Sequence, residues 1–186
     1  LLITEYQDMN AQKVLGDGSN AGGVNVALTG ASNARGNRCG HAHTSGGNVN
    51  DYVSYRGVEN PWGRSSQWID GININERNVY ISGDPSKWGD DKTANYVATG
   101  QVPTAAGSGS FQRDLMSGVA LLPSSVTGAS ATTFTGDALW SSSGWRVARA
   151  GGNTDADAPM GALCAAFHYG SFNVSAFICG RLAYAK

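Results

Sequence analysis

Apolar positions in this chain recur in short clusters and never in long periodic runs. In "IDGININ", Ile69, Ile72 and Ile74 sit among polar residues, the pattern of a half-buried strand, and "NVYIS" resumes it after a turn at residues 75–77. Together they predict a core hairpin. "DALWSSSGWRVARAGG" reads as strand, turn and strand, with Trp140 and Trp145 flanking the turn. "GVALLPSSVTG" is an apolar run ended by Pro123, and "VNVALTG" suits a further strand. The last segment reads as a strand over 161–167, a loop over 168–176 and a strand over 177–184. Helical signal is scarce. "LLITEYQDM" is a short strand or a helix start, and Val58, Trp62 and Trp68 recur at rough helical intervals. Pro61 and Gly63 keep any helix there short. Residues 16–50 and 83–116 read as long loops, the second held by Trp88, Tyr96, Val102 and Phe111. The expectation is an α+β domain: short antiparallel strands, one or two short helices and long irregular loops.

Composition narrows the function. The chain has 186 residues, 41% apolar, enough for one domain with a sizeable core over 1–186. Its net charge of −1 argues against nucleic acid as a partner. No apolar run approaches the roughly 20 residues that span a bilayer, so membrane insertion is not expected. No basic segment followed by an apolar one marks a signal peptide. The chain starts at Leu1, which suggests a C-terminal piece of a longer protein. Cys39, Cys164 and Cys179 are too few for a disulfide framework, although strand–turn–strand geometry leaves a Cys164–Cys179 bridge open. No Cys/His metal spacing exists, and His41 and His43 in "HAH" read more readily as loop than as a ligand pair.

Residues 151–184 pose a different problem. A regular frame of Gly, Ala, Ser and Arg is interrupted by Thr154, Asp155, Pro159, Cys164, His168, Tyr169, Phe172 and Phe177, which share no chemistry. Two segments carry a resemblance that accounts for this. "YRGVENPWGRSSQWIDGINI" resembles the Glu-Asn-x-Trp-Gly…Trp segment of C-type lectin-fold proteins of the formylglycine-generating-enzyme subtype. "GWRVARAGGNTDADAPMGALCAAFHYGSFNVSAFICGRLAY", with "LPSSVTG…LW" before it, resembles the variable region of proteins diversified by retroelements. The resemblance spans about residues 52–184 and implies a C-type lectin fold with a variable region at about 151–182.

In such systems reverse transcription randomises adenines, chiefly in AAC codons. The resulting NNC codons cannot encode Glu, Gln, Lys, Trp or Met. Residues 151–185 contain one such residue, Met160, against 18 among residues 1–150. The resemblance implies a binding module, a phage-tail protein on the virion or a protein displayed at a cell surface, whose diversified side chains meet a protein or cell-surface receptor. A homo-oligomer is left open. The implied contact residues are Thr154, Asp155, Asp157, Pro159, Cys164, Ala166, His168, Tyr169, Phe172, Val174, Ala176 and Phe177. The frame residues Glu59, Asn60, Trp62, Trp68, Trp140, Trp145 and Arg146 are expected to be buried or hydrogen-bonded.

Two other functions have sequence requirements of their own. The formylglycine-generating branch needs a close pair of cysteines before the last strands. Here Cys179 lies fifteen residues after Cys164 and nothing nearer pairs with it, so an enzyme is not expected. Calcium-dependent sugar binding would be signalled by Glu-Pro-Asn or Gln-Pro-Asp, and neither occurs. No cofactor is therefore implied, although Asp70, Asp84, Asp90 and Asp91 offer hard oxygens to a structural calcium.

Overall fold

A computed structural model describes residues 40–42, 52–56, 58–59, 61–62, 65–116, 122–130, 133–152, 163–175 and 177–180. These form β1 (Gly40–Ala42), β2 (Tyr52–Tyr55), β3 (Val58–Glu59), β4 (Ser66–Asn75), β5 (Asn78–Ile81), β6 (Val97–Gln101), β7 (Ala106–Phe111), β8 (Asp114–Met116), β9 (Leu122–Ser125), β10 (Ala138–Ser141), β11 (Trp145–Ala150), β12 (Ala165–Phe167) and β13 (Ile178–Cys179). The helical content of the described residues is a single 3-10 turn, Pro85–Lys87, started by Asp84, whose carboxylate accepts from Ser86 N at 3.0 Å.

The α+β C-type lectin expectation is thereby corrected: the regular structure of the described residues is nearly all strand, without an α-helix. The physical reason lies in the segment read as helical. Val58 joins β3, Trp62 sits in a bend and Trp68 joins β4, because Pro61 cannot donate to a helical ladder and Gln67 caps its carbonyl instead, Nε2 to O at 2.9 Å. The segment "LLITEYQDM" and the strand expected at "VNVALTG" lie outside the described residues.

The main sheet runs in the order β6-β5-β4-β11-β12-β10-β7, with β13 added to β4. β1, β2 and β3 form a second sheet, and β8 pairs with β9 in a third. The predicted hairpin is present as β4 and β5, turning at Glu76 and Arg77, both at positive φ. β10 and β11 also stand where the sequence put them, yet they do not pair. β12 lies between them, parallel to β10 and antiparallel to β11. The stretch expected to be loop contains β6, β7 and β8. β6 was hidden because all five of its residues are exposed, so burial imposes no alternation on "VATGQ".

One face of the sheet carries the core: Ile72, Ile74, Val79, Ile81, Leu139, Ala148, Ala165 and Phe167, with Val102, Ala105 and Leu122 packed in. Leu139 of β10 and Ala165 and Phe167 of β12 form the centre of this core, which needs β12 in place. Gln112, fully buried, holds that arrangement by donating Nε2 to the carbonyls of Ala138 and Leu163. Asp137 adds a carboxylate that accepts from Leu163 N at 3.0 Å.

The frame motifs meet physically. Gly151 has φ +85, and a Cβ there would lie 3.2 Å from Pro61 O and 3.3 Å from Trp62 Cα. Only a glycine lets the "RAGG" end of β11 approach "ENPW" this closely. Trp62 is 2% exposed, as expected of a frame residue. Trp68, Trp140, Trp145 and Arg146 are half-buried rather than enclosed. Asn60 lies outside the described residues. No described helix is long and apolar enough to cross a membrane.

Candidate functional site

The sheet face opposite the core carries an unusual row. Cross-strand partners share a face. The register puts Trp68 of β4 opposite Arg149 of β11, Arg149 opposite Ala166 of β12, and Ala166 opposite Trp140 of β10. His168 and Tyr169, which follow β12, close the row. The His168 ring lies 6.3 Å from Trp140 and 4.2 Å from Tyr169, centroid to centroid. The Arg149 guanidinium lies 3.9 Å from the Tyr169 centroid and 5.9 Å from that of Trp68. Arg149 is 4% exposed and has no carboxylate partner among the described residues, so the two aromatic faces supply its compensation. Burial pulls its pKa below the ordinary arginine value, against the opposing pull of Tyr169 and Cys164. Burial, then the positive charges of Arg149 and Arg146, lowers His168 to about 4. The ring is neutral at physiological pH.

Beyond this row the chain turns sharply. Gly170 N donates to Asn173 Oδ1 at 2.9 Å and Asn173 N to Gly170 O at 3.2 Å. Val147 N donates to Tyr169 O at 3.1 Å, which fixes the turn's start to β11. Ser171 Oγ donates to Asp91 Oδ2 at 3.0 Å, tying the turn to the loop after β5. On this anchored turn Phe172 is 83% exposed and Val174 is 97% exposed.

A cavity of about 500 Å³ adjoins the turn, with Ser171 on its wall. Its position follows from strand registers. β5 pairs with positions 72–75 of β4, and β13 with positions 66–67 on the same edge. Positions 68–71 lie in the gap, and there β4 bulges against β11, whose register jumps from Asn73 to Ile69. Gly71, at φ +78, makes the bulge and receives Trp88: a Cβ at Gly71 would stand 2.7 Å from Trp88 Nε1. Trp88 Nε1 donates to Ser82 O at 2.8 Å. Asn73 braces the loop beyond it, donating Nδ2 to Gly89 O at 2.7 Å and Lys92 O at 3.0 Å. Tyr96 Oη bridges Gly89 N and O, both at 3.0 Å.

The structure distributes the twelve contact residues expected from sequence. Phe172 and Val174 are exposed together on the turn. His168 and Tyr169 are half-buried in the aromatic row, and Phe177 is half-buried beside β13, where its carbonyl accepts from Ser66 N at 2.9 Å. Cys164 and Ala166 are 1% and 7% exposed, enclosed at β12. Thr154, Asp155, Asp157, Pro159 and Ala176 lie outside the described residues. Cys164 and Cys179 are both free thiols, so the bridge left open is not formed. Burial pushes the Cys164 thiol far above its ordinary pKa, with Asp137 adding to the effect. Of the aspartates considered for calcium, Asp84 caps the 3-10 turn, Asp91 accepts from Ser171, and Asp70 and Asp90 line the cavity. No group of three or more metal-ligating side chains occurs among the described residues. His41 lies in β1, and His43 is outside the described residues. Sequence reasoning missed the cavity. Its one legible signal was Gly71 within an otherwise alternating strand, a mark of bulge or close approach. Compared with known proteins, the chain matches no family model, no curated protein and no solved structure.

Proposed function

We propose that the protein is a ligand-binding module whose C-terminal segment, diversified through a retroelement, is presented on a rigid β-sheet to a protein receptor on a cell surface. One observation carries the reading. Phe172 and Val174 are exposed at 83% and 97%, yet the turn bearing them is hydrogen-bonded to β11 and to Asp91. Large apolar side chains held out from a fixed backbone suit hot-spot contacts: they bury area on binding at little entropic cost. They also meet the requirement of a randomising system, since their identity does not bear on the core. The reading is supported by the scarcity of Glu, Gln, Lys, Trp and Met after residue 150. A cysteine-based oxidase is disfavoured, because the Cys164 thiol is buried and held protonated.

The test has two parts. The DNA flanking the coding region is expected to hold a near-copy of the segment for residues 151–184, differing at adenines, beside a reverse transcriptase gene. A flanking region without them removes the retroelement from the proposal. A Phe172→Ser, Val174→Ser double variant is expected to melt within about 2 °C of the parent, since exposed changes shift stability by about 0.5 kcal/mol or less. A drop of 8 °C or more would show that these side chains serve the fold, and the presented-surface reading would fail.

A further inference from the structure

We infer that the cavity beside the turn receives a lysine or arginine side chain of the bound protein. This deepens the module reading and rests on it for the ligand being a protein. The lining combines two features that select a cation. The first is aromatic: Trp68, Trp88 and Tyr96 contribute to the wall. Aromatic rings attract positive charge; Trp68 already faces Arg149, so Trp88 and Tyr96 are the rings left for a ligand. The second is anionic: Asp70 and Asp90 line the same space, and no ion pair engages either carboxylate among the described residues. No lysine, arginine or histidine is among the lining residues. The nearby cations are turned to other tasks. Lys92 donates Nζ to Trp88 O at 3.3 Å, and Arg149 lies over Trp68 and Tyr169.

Size and placement agree with this occupant. At about 500 Å³ the space falls within the range of small-ligand sites and takes one long side chain with its terminal charge. Ser171 is shared between the cavity wall and the turn, so a ligand resting on Phe172 and Val174 has the cavity mouth within one residue's reach. A neutral sugar would also find ring faces here and could donate hydroxyls to the carboxylates, but it would leave both negative charges uncompensated. A calcium ion would need more oxygens than this pair supplies.

The experiment titrates the intact chain with Nα-acetyl-arginine amide, Nα-acetyl-lysine amide and the neutral Nα-acetyl-citrulline amide, following the tryptophan indole N–H signals by NMR. Saturable shifts of the Trp68 and Trp88 signals are expected with the arginine or the lysine probe. Binding at least tenfold weaker is expected for citrulline, and also for the Asp70→Asn, Asp90→Asn variant. Added sodium chloride should weaken it further. The two cationic arms tell which side chain fits better. Equal binding of citrulline, an unaffected double variant, no saturable shift, or the same shifts produced by calcium chloride or a methyl glycoside would each overturn the inference. The probes are single residues, so a negative result condemns the cavity and leaves the turn's role to its own test.

Discussion

His168, expected from sequence to be a contact residue, is packed into the fold. Its ring lies tilted against those of Trp140 and Tyr169 and is held neutral, with a pKa lowered to about 4. The unfolded chain protonates near 6.5, so below that pH it takes up a proton that the folded chain refuses. The stabilisation from the neutral ring is complete above pH 6.5 and is lost as pH falls toward 4. Denaturant unfolding at pH 7.5 and pH 4.5 is expected to show a steeper decline for the parent than for His168→Phe. The gap should be about 1–2 kcal/mol, discounted because solvent reaches the half-buried ring. Equal declines would rule this out. None of this was legible in the sequence, where His168 is one residue of an unthemed series. Ala166 was equally opaque: it was read as a contact, and the register shows it opposite both Arg149 and Trp140, enclosed beneath the row.

At the scale of elements, what the sequence revealed depended on whether burial forced a pattern. β4, β5, β10 and β11 have buried faces and were visible as alternating or apolar runs. β6 and β7 were not, because "VATGQ" is exposed throughout and "AGSGSF" has one large apolar residue. Pairing was less legible than existence: two strands either side of a short turn look like a hairpin, and nothing local announces that a later strand will separate them. The bulge in β4 is the element on which the cavity depends. Gly71→Ala would place a methyl 2.8 Å from Ser82 O at a φ of +78. A loss of about 2 kcal/mol or more is expected. Denaturant melts would measure it, and a red shift of Trp88 emission in the still-folded variant would show the cavity wall displaced. A variant as stable as the parent with unchanged emission would mean that Gly71 does not set the bulge.

For the molecule as a whole, the order of strands in space departs from their order in the chain. β12 comes after β10 and β11 and lies between them. A chain ending at residue 161 keeps every residue of both neighbours but exposes an open edge on each, and loses Ala165 and Phe167 from the core. Such a truncation is expected to lack the dispersed NMR spectrum and cooperative melt of the parent. A cooperative melt would show that the sheet closes without β12. The insertion has a consequence during biosynthesis. The ribosome must release the segment up to residue 167 before the middle of the sheet can form, so the nascent chain waits, half-built, for a later stretch. Under the proposed diversification that stretch is also the rewritten one. A copy cut short there would leave two sticky strand edges for proteases and chaperones to find.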